Sequence, residues 1–134
     1  MLTRLIYAST STDPLTPAGV QAIVDHARTA NERRRLTGML VFDHNCFLQA
    51  LEGRREAVSE AFCRIAADTR HRRIVLLEVQ PIEERLFAHW TMGFAAADAR
   101  GRESFLRFGG SDQFEPHLLS AASALGLLRA LAAG

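Results

Sequence analysis

Lysine is missing from this sequence of 134 residues, in which all 16 cationic side chains are arginine. Such a bias can reflect the base composition of a genome and indicates no function by itself, although arginine favours bidentate contacts with phosphate. Cysteine is scarce, and Cys46 and Cys63 have neither a CxxC spacing nor the density of a disulfide framework. We therefore expect both thiols to be reduced and the protein to be cytoplasmic.

Neither sign of charge is in excess, since the formal net charge is +1. This balance argues against a protein that binds nucleic acid mainly by electrostatics. No apolar run approaches the roughly 18 residues of a membrane span. Residues 1–4 lead into a short strand rather than into the apolar region of a signal peptide. We expect no contact with nucleic acid or with a membrane.

The sequence shows no pattern typical of catalysis or metal binding. The five histidines are scattered, none of them pairs at a ligand spacing, and no nucleophile has an evident base. We expect no metal site and no enzymatic turnover. The length suits one domain with a core that needs no disulfide.

Residues 37–53 contain the most informative pattern. Two apolar runs flank a polar turn at residues 43–45, which predicts a β-hairpin. Alternation along its second strand places Gln49 on the same face as Phe47 and Leu51. If that face is the core, Gln49 is a buried amide, which costs about 1–3 kcal/mol when it is unpaired. Neighbouring groups or a bound ligand must then satisfy it.

Periodicity predicts the other elements. A helix that begins near Thr16 has an apolar stripe that brings Asn31 to the buried side of its last turn. In a late strand, Trp90 and Met92 alternate with small residues and therefore share a face. The predicted elements are strands at 4–9, within 37–53, at 74–79 and at 89–95, and helices from 16 and at 55–67. This order, βαββαβ with an extra strand, predicts an α+β ferredoxin-like sandwich with both helices on one face.

Residues 98–134 are the candidate cover for the open face of the sheet. A polar segment extends through Gly109 and Gly110. An Ala-rich helical stretch follows Pro116 and contains Leu118, Leu119, Leu125, Leu128 and Leu131. We expect a domain at residues 1–97 and a C-terminal helical extension at 98–134, which caps the sheet or presents an output surface.

Five short motifs in this order and spacing resemble the BLUF domains, a family of blue-light sensors that use FAD. They are LIYAS at 5–9, Asn31 followed by LTG at 36–38, FLQALEG at 47–53, DTRH at 68–71 and WTM at 90–92. The resemblance covers residues 4–96. It implies a ferredoxin-like fold that holds FAD between its two helices.

By this resemblance, Gln49 would be hydrogen-bonded to the flavin and to the hydroxyl of Tyr7. Blue light would drive electron and proton transfer from Tyr7, after which the Gln49 amide rearranges and the absorption shifts to the red. An amide has a donor end and an acceptor end, so turning or tautomerising it changes every hydrogen bond that it makes. Trp90 and Met92 on the last strand would relay this change to the tail.

The resemblance also implies the other contacts with the cofactor. Ile23 would pack on the flavin ring and Asn31 would hold a ring carbonyl. Arg70 and His71 would approach the flavin or its ribityl and phosphate tail, as suits arginine beside an anion. Ala27 departs from the family, in which many members have serine at this position, so one hydrogen bond near the flavin would be missing.

The tail contains no recognisable catalytic or DNA-binding output, and the sequence ends at Gly134. We expect a short stand-alone photoreceptor that is a homo-oligomer, a dimer or larger, and acts on an unknown downstream protein partner. The alternative is a flavin-free ferredoxin-like module for ligand sensing or dimerisation. A hydrolase of the acylphosphatase type is disfavoured, because residues 9–13 lack the glycines and arginine of a phosphate-binding loop.

Overall fold

The computed structural model describes residues 1–90, 92–96 and 99–133. Within them, five strands form one sheet, accompanied by four α-helices and one short 3-10 helix. In chain order the elements are β1 (Leu2–Ser11), α1 (Pro17–Arg34), β2 (Thr37–Asp43), β3 (Cys46–Arg54), α2 (Arg55–Ala67), β4 (His71–Ile82), β5 (Gly93–Ala96), α3 (Ala99–Phe108), the 3-10 helix (Pro116–Leu118) and α4 (Ala121–Ala133). The predicted βαββαβ order with an additional strand is confirmed.

The strands lie in the order β4-β1-β3-β2-β5. β1 is antiparallel to both β3 and β4, β2 is antiparallel to β3, and β5 adds to β2 in parallel. The register places Tyr7 of β1 and Leu40 of β2 directly opposite Gln49 of β3. Directly opposite residues have side chains on the same face. The tyrosine and the glutamine are therefore cross-strand neighbours at the centre of the sheet.

Local chemistry fixes the ends of the elements that surround this point. Thr16 caps α1, since its Oγ1 accepts a hydrogen bond from the Gly19 N–H at 3.0 Å, and a proline follows as the first helical residue. The hairpin turns at His44 and Asn45, whose φ angles of 48° and 62° are those of a type I′ turn. The predicted hairpin, the start of α1 and the bounds of α2 are confirmed.

Alternation along the strands separates two apolar cores. The first, the helix-side core, lies between the sheet and the helices α1 and α2. The second, the cap-side core, lies between the sheet and the cap, which comprises α3, the 3-10 helix and α4. The helix-side core includes Leu5, Tyr7, Val20, Val24, Leu40, Phe47, Leu51, Val58, Ala61 and Met92. The cap-side core includes Ile6, Met39, Val41, Leu48, Ala50, Phe87, Phe105, Phe114, Leu127, Leu128 and Leu131. The predicted covering of the open sheet face is confirmed.

The predicted strand at 89–95 is wrong over its first half, because β5 begins only at Gly93. Residues 83–90 and 92 form an irregular segment between β4 and β5, here called the connector. Its chain turns where the Trp90 N–H donates to the Phe87 carbonyl at 3.0 Å, so the alternation of large and small residues does not continue a strand. Trp90 is 37% exposed and Met92 is 1% exposed. They do not share a strand face, and the Thr91 of the WTM motif lies outside the described residues.

The polar segment expected to extend through Gly109 and Gly110 contains the helix α3 at residues 99–108, whose buried stripe includes Phe105. Two other expectations need correction. Leu118 lies in the 3-10 helix with 76% of its surface exposed and does not contribute to the predicted apolar stripe. β4 extends beyond the predicted strand at 74–79. Its ends could not be predicted because an edge strand with exposed residues on both faces lacks apolar alternation. The boundary expected between residues 97 and 98 lies outside the described residues.

Candidate functional site

A cleft of about 160 Å³ opens between α1, α2 and the helix-side face of the sheet. Its apolar walls come from both helices and from the strands β2 and β3. They include Ile23, Ala27, Leu40, Phe47, Leu51, Ala61 and Ile65. A mostly apolar cleft with a few placed polar groups is the usual form of a binding site for an organic molecule.

Two polar side chains at the floor of the cleft are bonded to each other. The Tyr7 hydroxyl donates a hydrogen bond to Oε1 of Gln49, and both residues line the cleft. The Gln49 Nε2 donates to the Met92 Sδ at 3.4 Å. Each of these three residues is at least nine-tenths buried. The amide therefore lies between a tyrosine on one side and a methionine of the connector on the other.

The environment of Tyr7 keeps its hydroxyl protonated. Burial raises the pKa of Tyr7 well above its ordinary value, and the negative charge of Asp68 raises the pKa further. The ring packs edge to face on Phe62 of α2, with 5.7 Å between the ring centroids. The phenol is thus a fixed hydrogen-bond donor to the glutamine.

Asn31 lies at the end of α1, where it is buried and lines the cleft. The helix ends in a left-handed residue, Arg35, with a φ of 55°. Main-chain N–H groups of Arg35 and Leu36 donate to the Asn31 carbonyl, the latter at 2.9 Å. This C-cap fixes the backbone that positions the Asn31 amide beside the cleft.

Charged groups collect where α2 meets β4. The Arg70 guanidinium contacts both carboxylate oxygens of Asp68, with an Nη2–Oδ2 distance of 2.6 Å. The hydrogen bonds from Arg70 hold the pKa of Asp68 at about 2, so the pair is ionised. His71 contacts the Ser9 hydroxyl through Nδ1 at 3.0 Å, and its ring lies 4.7 Å from that of Phe47. Burial lowers the pKa of His71 and so favours the neutral form of its ring.

The structure brings most of the expected site residues to this one cleft. Tyr7, Ile23, Asn31, Gln49, Arg70 and His71 all line it. Met92 adjoins it through Gln49, whereas Trp90 packs toward Phe87 with 6.4 Å between the ring centroids. Of the two candidate relay residues, Met92 is the one that touches the glutamine.

Two basic residues that the sequence did not single out also line the cleft, His26 and Arg64. His26 lies three residues after Ile23, and Arg64 lies three residues after Ala61. Residues three apart are neighbours on one helix face. Both basic residues could have been predicted to face the cleft by including polar residues on the helix faces that carry Ile23 and Ala61.

Comparison with known proteins identifies the family of the chain. The sequence model of the BLUF family, described as sensors of blue light using FAD, matches residues 2–93. The chain belongs to the BLUF family. It is 34% identical over 98 residues to the photoactivated adenylate cyclase subunit beta of Euglena longa. The aligned region covers 72% of this chain and 11% of that protein. The corresponding Euglena gracilis subunit is 33% identical over the same share of each chain. The BLUF chain thus spans about a tenth of the length of these curated relatives.

Two solved structures resemble the whole BLUF chain, including the cap. BlsA in its photo-activated state is 31% identical, with a TM-score of 0.88 over 98% of this chain and 94% of that one. The dark state of BlrB, a BLUF protein, is 30% identical, with a TM-score of 0.77 over 98% and 96%. Among the residues that the structure describes, no helix is long and apolar enough to cross a membrane.

The cleft of this BLUF protein fits the flavin of FAD. Its apolar walls suit a flat aromatic ring system, while the Asn31 and Gln49 amides supply the donors and acceptors that ring carbonyls and ring nitrogens require. Arg64 and Arg70 lie on the same cleft and can approach an anionic diphosphate. These four residues, with Ile23, would hold the cofactor.

Proposed function

We propose that this BLUF protein senses blue light through Tyr7 and Gln49 and passes the change to its cap through Met92 and the connector. The supporting observation is the hydrogen-bonded series Tyr7–Gln49–Met92, which links the floor of the cleft to the connector. When bound and excited by blue light, FAD supplies the chemistry of a strong oxidant.

Tyr7 is the residue of the cleft best placed to lose an electron. A phenol that has lost an electron becomes far more acidic, so its proton moves along the existing bond to Oε1 of Gln49. A glutamine that has gained a proton on Oε1 can release one from Nε2 toward the bound flavin, which would take up both the electron and the proton that Tyr7 has lost. The donor and acceptor ends of the Gln49 side chain are then exchanged. The Nε2 hydrogen bond to Met92 depends on that arrangement.

Loss of this bond would remove one of the attachments of the connector, which joins both cores. Met92 belongs to the helix-side core and Phe87 belongs to the cap-side core. We propose that residues 1–97 act as the sensor and residues 98–134 as the output, whose packing shifts with the connector between two populations. The chain itself would catalyse no reaction and would signal through a downstream protein.

A second copy of the chain is a candidate partner. β4 is an edge strand, and Val75, Leu76 and Val79 are 39%, 49% and 57% exposed on it. An exposed edge with apolar side chains is suited to pairing with another strand. We propose a homo-oligomer that forms through β4. Light scattering of the wild type should give a dimer or larger, Val79→Glu should give a monomer, and an unchanged mass in the variant would reject this surface.

The two free cysteines, Cys46 and Cys63, support a cytoplasmic location.

Absorption spectroscopy tests the photochemical proposal. The purified protein should have a flavin spectrum that shifts to the red under blue light and returns in darkness. Gln49→Leu should retain the flavin and lose the shift, because leucine has no donor or acceptor end. Gln21→Leu is the matched control, since Gln21 bonds Asp25 on the exposed face of α1 and should change nothing. A full red shift in Gln49→Leu would refute the role of the amide.

A further inference from the structure

Glu52 is a fully buried carboxylate on β3, with none of its surface exposed. It lies on the cap side of the sheet, opposite to the face that carries Gln49, because side chains alternate along a strand. Burying a carboxylate is costly unless hydrogen bonds compensate for the lost water. Its partners therefore indicate what the residue does.

Among the described residues, each partner of the Glu52 carboxylate is a donor. Oε2 accepts from the Leu86 N–H at 2.7 Å, and Oε1 accepts from the Phe87 N–H at 3.0 Å and from the Thr37 hydroxyl at 3.0 Å. Only the ionised form of a carboxylate accepts on both oxygens without donating. Arg85 belongs to the same network. Its Nη1 donates to the Thr37 hydroxyl at 2.9 Å and to the main-chain carbonyl of Glu52 at 3.0 Å.

Two of these donors are backbone groups of the connector. Elsewhere the connector is attached to β2 and α1: the Gly38 N–H donates to the Trp90 carbonyl at 3.1 Å, and the Arg28 Nε donates to the Met92 carbonyl at 3.0 Å. The Glu52 bonds hold the end at which Phe87 enters the cap-side core. The other attachments hold the end at which Met92 meets the glutamine.

We propose that Glu52 is a positioning residue of the photocycle: it anchors the connector at Leu86 and Phe87 and thereby sets where Met92 lies against Gln49. The effect of Glu52 on the photocycle rests on the proposed function. The anchoring of the connector by Glu52 does not. Weakening the anchor loosens the connector at Leu86 and Phe87 in darkness, so that the position of Met92 depends on the remaining attachments alone. The bond between Gln49 and Met92 then forms in a smaller fraction of molecules.

Amide hydrogen exchange of the FAD-loaded protein in darkness tests the anchor. In the wild type, the Leu86 and Phe87 amides should be protected relative to those of exposed residues 88 and 89. Glu52→Gln removes the charge and keeps the shape, and should raise the exchange rates of both amides at least about tenfold. Glu78→Gln is the matched control, because Glu78 is a mostly buried carboxylate on β4 that accepts from Arg4 at 2.8 Å and from Gln80 at 3.1 Å, and neither partner lies in the connector. Unprotected amides in the wild type, or equal rates in Glu52→Gln, would overturn the proposal.

Dark recovery after blue light tests the consequence. The rate should change at least about threefold in Glu52→Gln and stay within error in Glu78→Gln, even if both variants lose similar stability. A merely structural role would move both variants alike, and that result would refute positioning. If the wild type itself shows no red shift, the proposed function fails, while the exchange comparison in darkness still decides whether Glu52 anchors the connector. If Glu52→Gln does not fold, amide exchange in the wild type tests the anchor: protected Leu86 and Phe87 amides support it, and unprotected amides overturn it.

Discussion

Alkaline pH provides an unusually direct test of the environment of Tyr7. The chain has one tyrosine and no lysine, so few side chains titrate between about pH 9 and 12. Burial and the Asp68 charge raise the pKa of Tyr7 in the folded state. In the unfolded chain the same hydroxyl titrates near its ordinary pKa of about 10. Folding must therefore keep a proton on Tyr7 that the unfolded chain has lost.

The sign and size of the effect follow from this difference. Because the folded pKa lies above the unfolded one, the stabilisation is complete below about pH 10 and is lost as the pH rises further. One proton corresponds to a limiting slope of about 1.4 kcal/mol per pH unit. Between about pH 10 and 11 the free energy of unfolding should fall by roughly 1 kcal/mol from Tyr7 alone. In Tyr7→Phe this loss should disappear.

Denaturant unfolding at a series of pH values, followed by circular dichroism, measures the loss in both proteins. Their difference removes the contribution of every group that titrates in both, including a bound flavin. Burial also raises the pKa of the Cys46 thiol, so Cys46→Ser serves as the control for a thiol that titrates nearby. If Tyr7→Phe keeps the wild-type slope above about pH 10, the phenol is not the buried donor described above.

Three further predictions concern other parts of the molecule. Arg70→Ala should weaken FAD binding about tenfold and reduce its salt dependence, which fluorescence titration at two ionic strengths measures; equal affinities would exclude a contact with the phosphates. His117→Ala removes the 2.9 Å bond from Nε2 to the Arg73 carbonyl and should speed amide exchange in the 3-10 helix, whereas unchanged exchange would show that the bond does not hold the cap. Gly38→Ala places a Cβ in steric conflict with the Ala50 carbonyl oxygen and should lower the free energy of unfolding by roughly 1–3 kcal/mol; wild-type stability would contradict this close approach of β2 and β3.

The central fold could be predicted because each of its elements has a strong local signal. The apolar stripe of α2 and the turn at His44 and Asn45 depend on residues near in sequence, and the structure has both where they were expected. The cross-strand position of Tyr7 and Gln49 follows from the same elements once the sheet order is known. The hydrophobic periodicity and the turn residues thus suffice to predict the elements where the secondary structure is regular.

The connector and the cap were harder to predict because long-range contacts determine them. Trp90 and Met92 alternate with small residues as strand residues do, but bonds to Phe87, Gly38 and Arg28 shape the backbone instead. No pattern near residue 90 contains information about those partners. Glu52 likewise belongs to the FLQALEG motif, but its attachment to the connector has no local signal, since its two backbone donors lie more than thirty residues away.

The layout of the sheet explains why a signal from the cleft would travel around its edge. Gln49 points to one face, and its neighbours Leu48 and Ala50 point to the other, so the amide cannot touch the cap-side core through the sheet. The central strands are held by hydrogen-bond ladders on both sides and resist displacement. The connector is held at separate points and contributes Met92 to one core and Phe87 to the other. We therefore propose that a change at Gln49 is transmitted by shifting this segment and that the strength of its anchors sets how far the cap responds.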